Sequence, residues 1–486
     1  MDMANKNKKK KKQQQPHAIM ISFHLQGHII PFVNLATKLA SKGLSITFAH
    51  LDFIHHQISK SHPNTTEIDI FAQARNSGLD IHYTTLNDGL PVDFDRVSNF
   101  DRHLENCIHQ LPDKVDELVG RITARPDSNS NYFLIADTFC VWPEKIAKKY
   151  NLINVSFWTE PALVFSLYYH LDLLRENGHV PVRAQRENVD YIPGIPSVNT
   201  KDFMSYLHDS ELTLLHKVVF RALDAVKSAD FIICNTVQEL EQETISALQQ
   251  KQPFYAIGPV FPAGFSENTI PRSLLPQFNP ADWLNSRSPG SVLYVSFGTL
   301  AKIDTNVIFD IAGGLLLSEV NFIWVLRPGI VGSERAEILP DGFEDSVRDR
   351  GLIIQWCDQN QVLSNPAIGG FLTHCGWNSV LESMWCGVPM ICYPLFTDQI
   401  TNRKLVVDDW RIGINLCGGE FITKEEVAEK IRILMSGEMS YELRKEIGNV
   451  REIVQNASTK SGSSEKNFDR FVGDVCDELL KRCNEM

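Results

Sequence analysis

Short apolar runs alternate with amphipathic segments along most of this chain. Residues 18–23 form the first apolar run, and from His28 onward apolar residues recur at helical spacing until Lys42 and Gly43. A second apolar run follows at 44–49. Because a strand, a helix and a strand in this order form a crossover unit, the pattern predicts parallel strands in one sheet. Further strands are predicted at 133–137, 154–157 and 231–236.

A second alternating series begins after a break in this pattern. From residue 261 to about 280 the chain is rich in Pro, Gly, Ser and Asn, which indicates a linker between domains. Apolar runs resume at 291–298 and 322–326, and helical patterns occupy 423–475. We therefore predict two α/β domains, each with a doubly wound parallel sheet. The predicted boundaries are a polar, disordered tail at 1–16, a first domain at 17–260, a linker at 261–285, a second domain at 286–460 and a C-terminal helix at 461–486.

Charge and composition narrow the class of protein. The 486-residue chain has a formal net charge of −12, which argues against nucleic-acid binding and against binding to an anionic membrane surface. No run of about 18 apolar residues appears, so no transmembrane helix is predicted. The ten cysteines contain no CxxC pair and are most simply free thiols of a reducing compartment. The N-terminal tail lacks the apolar core of a secretion signal. We expect a cytoplasmic monomer.

The segment 356–399 carries the most distinctive pattern. Residues 369–373 form a predicted buried strand, and Asn378 and Ser379 are predicted to cap the helix that follows. The free N–H groups and the dipole of a helix start form a seat for phosphate. Glu382 lies one turn further along the same face, where a carboxylate can accept hydrogen bonds from a ribose.

Both ends of this segment add candidate ligand contacts. Trp356 offers a flat face on which a base can stack. Asp398 and Gln399 follow the carboxyl end of a second predicted strand, 390–393, and open α/β sheets bind ligands at that edge. Taken singly, Trp356 could belong to the core and Glu382 could be a solvated helix charge.

As a whole, the segment resembles the signature box of plant family-1 UDP-glycosyltransferases. It has W-x-x-Q at the start, HCGWNS-x-x-E in the middle, then GVP-M, and P-x-x-x-DQ at the end, in the spacing of that box. It departs from the family at Cys357 and Asp358, where Ala and Pro are usual. The resemblance implies a GT-B fold, in which two Rossmann-like domains face a cleft and the C-terminal helix crosses back to the N-terminal domain.

The resemblance also implies which residues contact a UDP-sugar. Cys357 would touch uracil through its backbone, Thr299 would offer a hydroxyl to the phosphates, and a terminal Gln399 is associated with glucose rather than galactose as the sugar. Trp377 would act through its backbone and shape the sugar site. The implied contacts are Thr299, Trp356, Cys357, Gln359, His374, Trp377, Asn378, Ser379, Glu382, Asp398 and Gln399.

Transfer of a sugar requires the acceptor hydroxyl to lose a proton, and histidine is the natural base near neutral pH. His28 lies between the first predicted strand and helix, and Asp137 ends another strand of the same domain. Both can therefore meet at the carboxyl edge of one sheet, where the carboxylate would orient the imidazole. In the family, QGH-x-x-P carries the catalytic histidine and a strand end carries its Asp partner. His24 is a rival base, at a position where the family has none.

One acidic motif competes with this interpretation. Asp93, Phe94 and Asp95 match the D-x-D pattern by which another glycosyltransferase class holds a divalent metal. The motif lies in an irregular segment far from the signature box, so we interpret it as a solvated acidic loop. We predict no metal and no cofactor, with UDP-glucose as the co-substrate, since a helix start can stabilise the diphosphate.

The leading hypothesis is an inverting glucosyltransferase that makes β-glucosides of a small lipophilic plant metabolite carrying a hydroxyl or carboxyl group. A catalytically idle UDP-sugar-binding or scaffold protein is the alternative, and the presence of His28 and Asp137 argues against it. A Rossmann dehydrogenase is disfavoured because no strand is followed by G-x-G-x-x-G. The acceptor stays open, since the aromatic residues that could line its pocket are equally typical of a core: Phe139, Trp142, Trp158, Phe165, Tyr168 and Tyr169.

Overall fold

A computed structural model describes most of the chain. The described residues are 15–61, 69–96, 98–124, 131–182, 186–208, 213–262, 264–265, 276–331, 338–419 and 421–485. Most of the predicted N-terminal tail, and residues 263 and 266–275 of the predicted linker, lie outside them.

Fifteen strands are described. They are β1 His17–Ile21, β2 Ser45–Leu51, β3 Ile81–Leu86, β4 Tyr132–Asp137, β5 Ile153–Trp158, β6 Asn188–Val189, β7 Val198–Asn199, β8 Phe231–Cys234, β9 Phe254–Ala256, β10 Val292–Ser296, β11 Asn321–Val325, β12 Gly351–Ile354, β13 Ile368–Thr373, β14 Met390–Cys392 and β15 Gly413–Asn415.

The helices alternate with these strands. They are α1 Gln26–Ser41, α2 Asp52–Ser61, α3 Ala72–Asn76, α4 Phe100–His109, α5 Leu111–Thr123, α6 Pro143–Tyr150, α7 Ala162–Tyr169, α8 Leu171–Glu176, α9 Leu214–Ala225, α10 Gln242–Gln249, α11 Ala281–Asn285, α12 Thr305–Ser318, α13 Phe343–Val347, α14 Gln359–Ser364, α15 Trp377–Cys386, α16 Gln399–Lys404, α17 Lys424–Met435, α18 Gly437–Ala457 and α19 Ser463–Glu485.

Two parallel sheets organise the molecule. The first has the order β3-β2-β1-β4-β5-β8-β9 and the second has the order β12-β11-β10-β13-β14-β15. In each sheet the strand order reverses beside the first strand of the series, so β1 pairs with both β2 and β4, and β10 pairs with both β11 and β13. A crevice forms at the carboxyl edge of such a reversal, and ligands of doubly wound sheets bind there. The two Rossmann-like halves agree with the predicted GT-B fold.

The apolar runs of the sequence become strands because both faces of each sheet are covered by helices. All seven residues of β2 and all six of β5 are buried, and β1 is buried from its second residue. The first strand ends at Ile21, two residues earlier than the pattern predicts, and the turn up to Leu25 leads into α1. Gly43, at a φ of +89°, ends that helix turn in a conformation that favours glycine.

The last helix returns to the first sheet. After α18 packs against α15 and α17 of the second half, α19 packs against β5 and β9 of the first half. Phe468 and Phe471 of α19 are fully buried among side chains of the first core. The hydroxyl of Tyr255 donates a hydrogen bond to Asp474 Oδ2 at 2.5 Å. This crossing is the one that the sequence resemblance implies.

Within the described part of the chain, no helix combines the length and the apolar character that crossing a lipid bilayer requires.

Candidate functional site

The carboxyl edge of the first sheet brings His28 and Asp137 together. His28 is the third residue of α1, and Asp137 is the last residue of β4, the strand next to β1. His28 Nδ1 lies 2.9 Å from Asp137 Oδ2. Because an aspartate accepts at neutral pH, the imidazole donates from Nδ1 and leaves Nε2 as the acceptor nitrogen. A neutral imidazole held in this tautomer can take a proton from a bound hydroxyl.

The surroundings of the pair fix its orientation. Both side chains are buried, and the second oxygen of Asp137 accepts a hydrogen bond from the backbone N–H of Phe139 at 2.9 Å. Thr159, just after β5, places its hydroxyl 3.1 Å from His28 Nδ1. The rings of Phe23 and Phe139 lie edge-on to the imidazole, with centroids 5.5 and 5.3 Å away. These contacts hold the imidazole against an apolar wall.

The helix start opposite this pair differs from the prediction. Helix α15 begins at Trp377 with Gly376 at its N-cap, and no side chain caps it. Asn378 and Ser379 therefore lie inside the first turn, and the prediction that they cap the helix was wrong. Glycine is accepted at an N-cap, and it leaves the first backbone N–H groups without a side-chain partner of their own. A helix start of this kind can bind an anion.

Side chains of α15 bridge the two halves. Asn378 Nδ2 donates to the carbonyl of Gly27, the residue before His28, at 2.8 Å. Trp377 Nε1 donates to the carbonyl of Asn235, which follows β8, at 2.8 Å. The helix start of the second half thus faces the first turn of α1, one residue from the imidazole.

Three of the residues that are predicted to contact the UDP-sugar, Gln359, Ser379 and Glu382, are joined by hydrogen bonds. Gln359 Nε2 donates to Ser379 Oγ at 2.9 Å and to Glu382 Oε2 at 2.6 Å. Its carbonyl oxygen accepts from the hydroxyl of Tyr294 at 3.3 Å. The polar face of α15 is therefore tied to the start of α14, and the half-buried Trp356 lies just before that start.

The turn after β10 packs closely on His374. Arg327 Nε donates to the carbonyl of Gly298 at 3.0 Å and so holds this turn, which contains the half-buried Thr299. Burial and the positive charge of Arg327 lower the pKa of His374 to about 4, so its imidazole is neutral near pH 7. Within the described chain His374 Nδ1 is buried without a hydrogen-bond partner. Gly298 has a φ of +69°, and a Cβ there would lie 2.5 Å from His374 Nε2.

We expect Gly298→Ala to weaken UDP binding about tenfold or more. An alanine at positive φ costs about 1–2 kcal/mol, and its methyl group would also displace His374 and the turn that carries Thr299. Isothermal titration with UDP measures the effect. Gly329→Ala is the matched control, since Gly329 has a φ of +73° but no atom within 4 Å of an added Cβ. Equal losses of UDP affinity in both variants would mean that backbone strain alone weakens binding, and not the contact of the added methyl group with His374.

Asp398 and Gln399 occupy the loop after β14. Asp398 accepts from Thr397 Oγ1 at 2.7 Å and from Asn402 Nδ2 at 2.6 Å, and burial raises the pKa of its carboxyl. Gln399 Oε1 accepts from the backbone N–H groups of Leu395 and Phe396, which fixes the loop. Asn402 Nδ2 also donates to the carbonyl of Cys375 at 2.9 Å, so this loop packs beside the turn that leads into α15.

Three residues that lie in this cleft were not predicted as site residues from the sequence. They are Thr159 on the imidazole, Arg327 behind His374, and Glu160, whose pKa is raised well above its usual value by burial and by the charges of Asp398 and Asp137. Thr159 and Glu160 lie two and three residues after the strand predicted at 154–157, which is next to the one that ends in Asp137. Their place at a strand end was the available signal.

The remaining predicted residues are placed as follows. Cys357 is buried, with its sulfur 3.6 Å from the hydroxyl of Tyr294. The side chains of Asp93 and Asp95 are exposed in the loop before α4, in agreement with a solvated acidic loop. Of the six aromatic residues considered for an acceptor pocket, Phe139 and Tyr169 are half-buried and four are core residues: Trp142, Trp158, Phe165 and Tyr168.

Comparison with known proteins gives a consistent result. A family model described as UDP-glucoronosyl and UDP-glucosyl transferase matches residues 261–447. The chain is 53% identical to UDP-glycosyltransferase 86A1 of Arabidopsis thaliana, over 97% of this chain and 96% of that protein. It is 33% identical to 7-deoxyloganetin glucosyltransferase of Gardenia jasminoides, over 94% and 97% of the two chains. A solved UDP-glucose: anthocyanidin 3-O-glucosyltransferase in complex with UDP superposes with a TM-score of 0.80 at 26% identity, covering 96% of this chain and 100% of that one.

Proposed function

This chain belongs to the UDP-glycosyltransferase family, and we propose that it is an inverting glucosyltransferase that makes β-glucosides of small lipophilic plant metabolites. The observation that carries the proposal is the His28–Asp137 pair, 2.9 Å apart, beside the helix start of the signature box. A base at that position can activate an acceptor next to the bound sugar.

The proposed reaction is a single displacement. His28 Nε2 takes the proton of the acceptor hydroxyl while the acceptor oxygen bonds to C1 of the sugar and the bond from C1 to the UDP oxygen breaks. Asp137 stabilises the imidazolium that forms. Because the acceptor attacks from the face opposite to UDP, the configuration at C1 is inverted.

The second half supplies the groups for the leaving diphosphate. The N–H groups at the start of α15 and the neutral imidazole of His374 are hydrogen-bond donors, and the helix dipole favours negative charge. We therefore propose that the transfer step needs no metal. The contacts of Gln359 support roles for Ser379 and Glu382 beside the diphosphate and the ribose.

Glucose as the sugar and a hydroxyl or carboxyl acceptor are also proposals. Gln399 ends the signature box, and two of the proteins to which the chain is similar are named as glucosyltransferases, one for 7-deoxyloganetin and one for anthocyanidin.

The two sheets support the predicted domain boundaries, since β9 ends at Ala256 and β10 begins at Val292.

The test is UDP release from UDP-glucose with a panel of phenols, terpenoid alcohols and carboxylic acids, in the presence of EDTA. We expect acceptor-dependent release that EDTA does not reduce, lower release from UDP-galactose, and a β-configured product by NMR. Turnover that EDTA abolishes and magnesium restores would contradict the metal-free step. Binding of UDP-glucose without turnover on any member of the panel would favour the idle binding protein.

A further inference from the structure

The loop that carries Asp398 and Gln399 contains a strained residue. Thr397, the residue before Asp398, has a φ of +59°. Five non-glycine residues of the described chain have a positive φ, and Thr397 is the one among them whose side chain is β-branched, for which this conformation is unfavourable. Strained residues persist only where the surrounding structure holds them, and they are common at functional sites.

Ser205 of the first half supplies contacts that hold Thr397. The backbone N–H of Thr397 donates to Ser205 Oγ at 2.8 Å, and the backbone N–H of Ser205 donates to the carbonyl of Thr397 at 3.2 Å. Both backbone polar groups of the strained residue are therefore bonded to one residue, 192 positions earlier in the chain. Because the two hydrogen bonds run in opposite directions, they fix the orientation of this backbone as well as its position.

The conformation of Thr397 in turn sets the two residues that follow it. The hydroxyl of Thr397 donates to Asp398 Oδ1 at 2.7 Å. On the other side of Thr397, the backbone N–H groups of Leu395 and Phe396 donate to Gln399 Oε1 at 2.9 and 3.2 Å. The side chains of Asp398 and Gln399 are thus both bonded to the loop that turns at Thr397, and a change of its φ would move them.

The segment around Ser205 is itself firmly placed. It consists of two 3₁₀ turns, Thr200–Asp202 and Ser205–Leu207, and the intervening Phe203 and Met204 are fully buried. Buried side chains of this kind anchor the backbone that carries Ser205.

Asp202 attaches the same segment to the second half at another point. Its carboxylate pairs with Arg403 of α16, and its backbone carbonyl accepts from Thr401 Oγ1 at 2.7 Å. The side chains of Asp202 and Arg403 are only 4% and 11% exposed, so salt screens this ion pair little. These contacts keep Ser205 opposite Thr397.

We propose that Ser205 is a positioning residue for the sugar end of the donor site. Ser205 holds Thr397 in its strained conformation, and the first half thereby shapes the loop of the second half that contacts the sugar. The inference rests on the proposed function, in which Asp398 and Gln399 bind the sugar of the donor. The UDP moiety, by contrast, contacts groups of the second half that lie on α14 and α15.

The test is calorimetric titration of the full chain with UDP and with UDP-glucose, without an acceptor. Ser205→Ala removes one hydrogen bond that holds the strained loop, so we expect the Kd of UDP-glucose to rise about threefold to tenfold and that of UDP to change less than about twofold. Ser205→Thr keeps a hydroxyl and should restore the affinity for UDP-glucose. An equal rise for both ligands, or no rise for UDP-glucose, would overturn the inference.

The matched control is Ser59→Ala. Ser59 is half-buried like Ser205, but its hydroxyl donates to the carbonyl of His55 within α2, at 2.8 Å. This variant should leave both Kd values unchanged.

A second variant tests the role of the strain. Asparagine adopts a positive φ more readily than threonine, so the loop of Thr397→Asn depends less on the hydroxyl of Ser205. Adding Ser205→Ala should therefore raise the Kd of UDP-glucose by a smaller factor in Thr397→Asn than in the wild-type protein. Equal factors in the two backgrounds would show that Ser205 does not act through the strained conformation.

Amide hydrogen exchange without ligand separates this inference from the proposed function. Peptides that contain residues 395–400 should exchange faster in Ser205→Ala than in the wild-type protein or in Ser59→Ala. Faster exchange in a protein that does not bind UDP-glucose would reject the proposed donor, while Ser205 would still position the loop. Unchanged exchange in a protein that binds UDP-glucose would reject the positioning role and leave the proposed function standing.

Discussion

Replacing His28 with alanine is expected to lower kcat by about 10²–10⁴-fold while the affinity for UDP changes little. The variant loses the nitrogen that receives the acceptor proton, whereas the groups around the diphosphate belong to the second half. Single-turnover rates with an active acceptor, together with calorimetric UDP titration, measure both quantities.

A matched variant separates this effect from the loss of any buried histidine. His50 on β2 is also buried, but its Nε2 pairs with the hydroxyl of Tyr83 at 2.6 Å and not with a carboxylate. His50→Gln should retain kcat within a few-fold. Undiminished turnover by His28→Ala would reject the base assignment.

Asp137→Asn is expected to lower kcat by on the order of 10²-fold or more, and the double variant should be no slower than His28→Ala alone. An asparagine amide facing Nδ1 would force the imidazole into the other tautomer, with its proton on Nε2. Without His28, Asp137 has no imidazole to orient, so the two losses overlap.

The measurement is kcat of the two single variants and the double variant on one acceptor. If the fold-loss of kcat in the double variant equalled the product of the two single losses, Asp137 would act independently of His28. That result would contradict the proposal that the two residues act as a pair. Melting temperatures are the control for folding, because Asp137 also accepts the backbone N–H of Phe139, which an asparagine oxygen can still do.

The sequence predicted the alternation of strands and helices well, because buried parallel strands are apolar throughout and their ends are marked by turns. The strands that end near His28 and at Asp137 were placed within two residues. Their meeting at one sheet edge followed from the topology of crossover units. The alternating pattern also predicted the second half, and the resemblance of the signature box then supplied the returning helix.

What the sequence did not reveal depends on contacts between distant segments. Asn378 and Ser379 have good capping side chains, yet Gly376 takes the N-cap, because Asn378 reaches across to Gly27 and Ser379 binds Gln359. His24 looked like a rival base. Its contacts with His103 and Cys107 depend on how α4 packs beside the turn that follows β1, which local patterns do not encode.

The returning helix α19 also determines how the cleft can open. The chain passes between the halves twice, once between β9 and β10 and once between α18 and α19. Because two chain segments connect the halves, opening is a hinge rotation about the line that joins these segments. A single connection would not restrict the rotation to one axis. A single cut in the first passage would leave two fragments joined by Phe468, Phe471 and their neighbours in the first core.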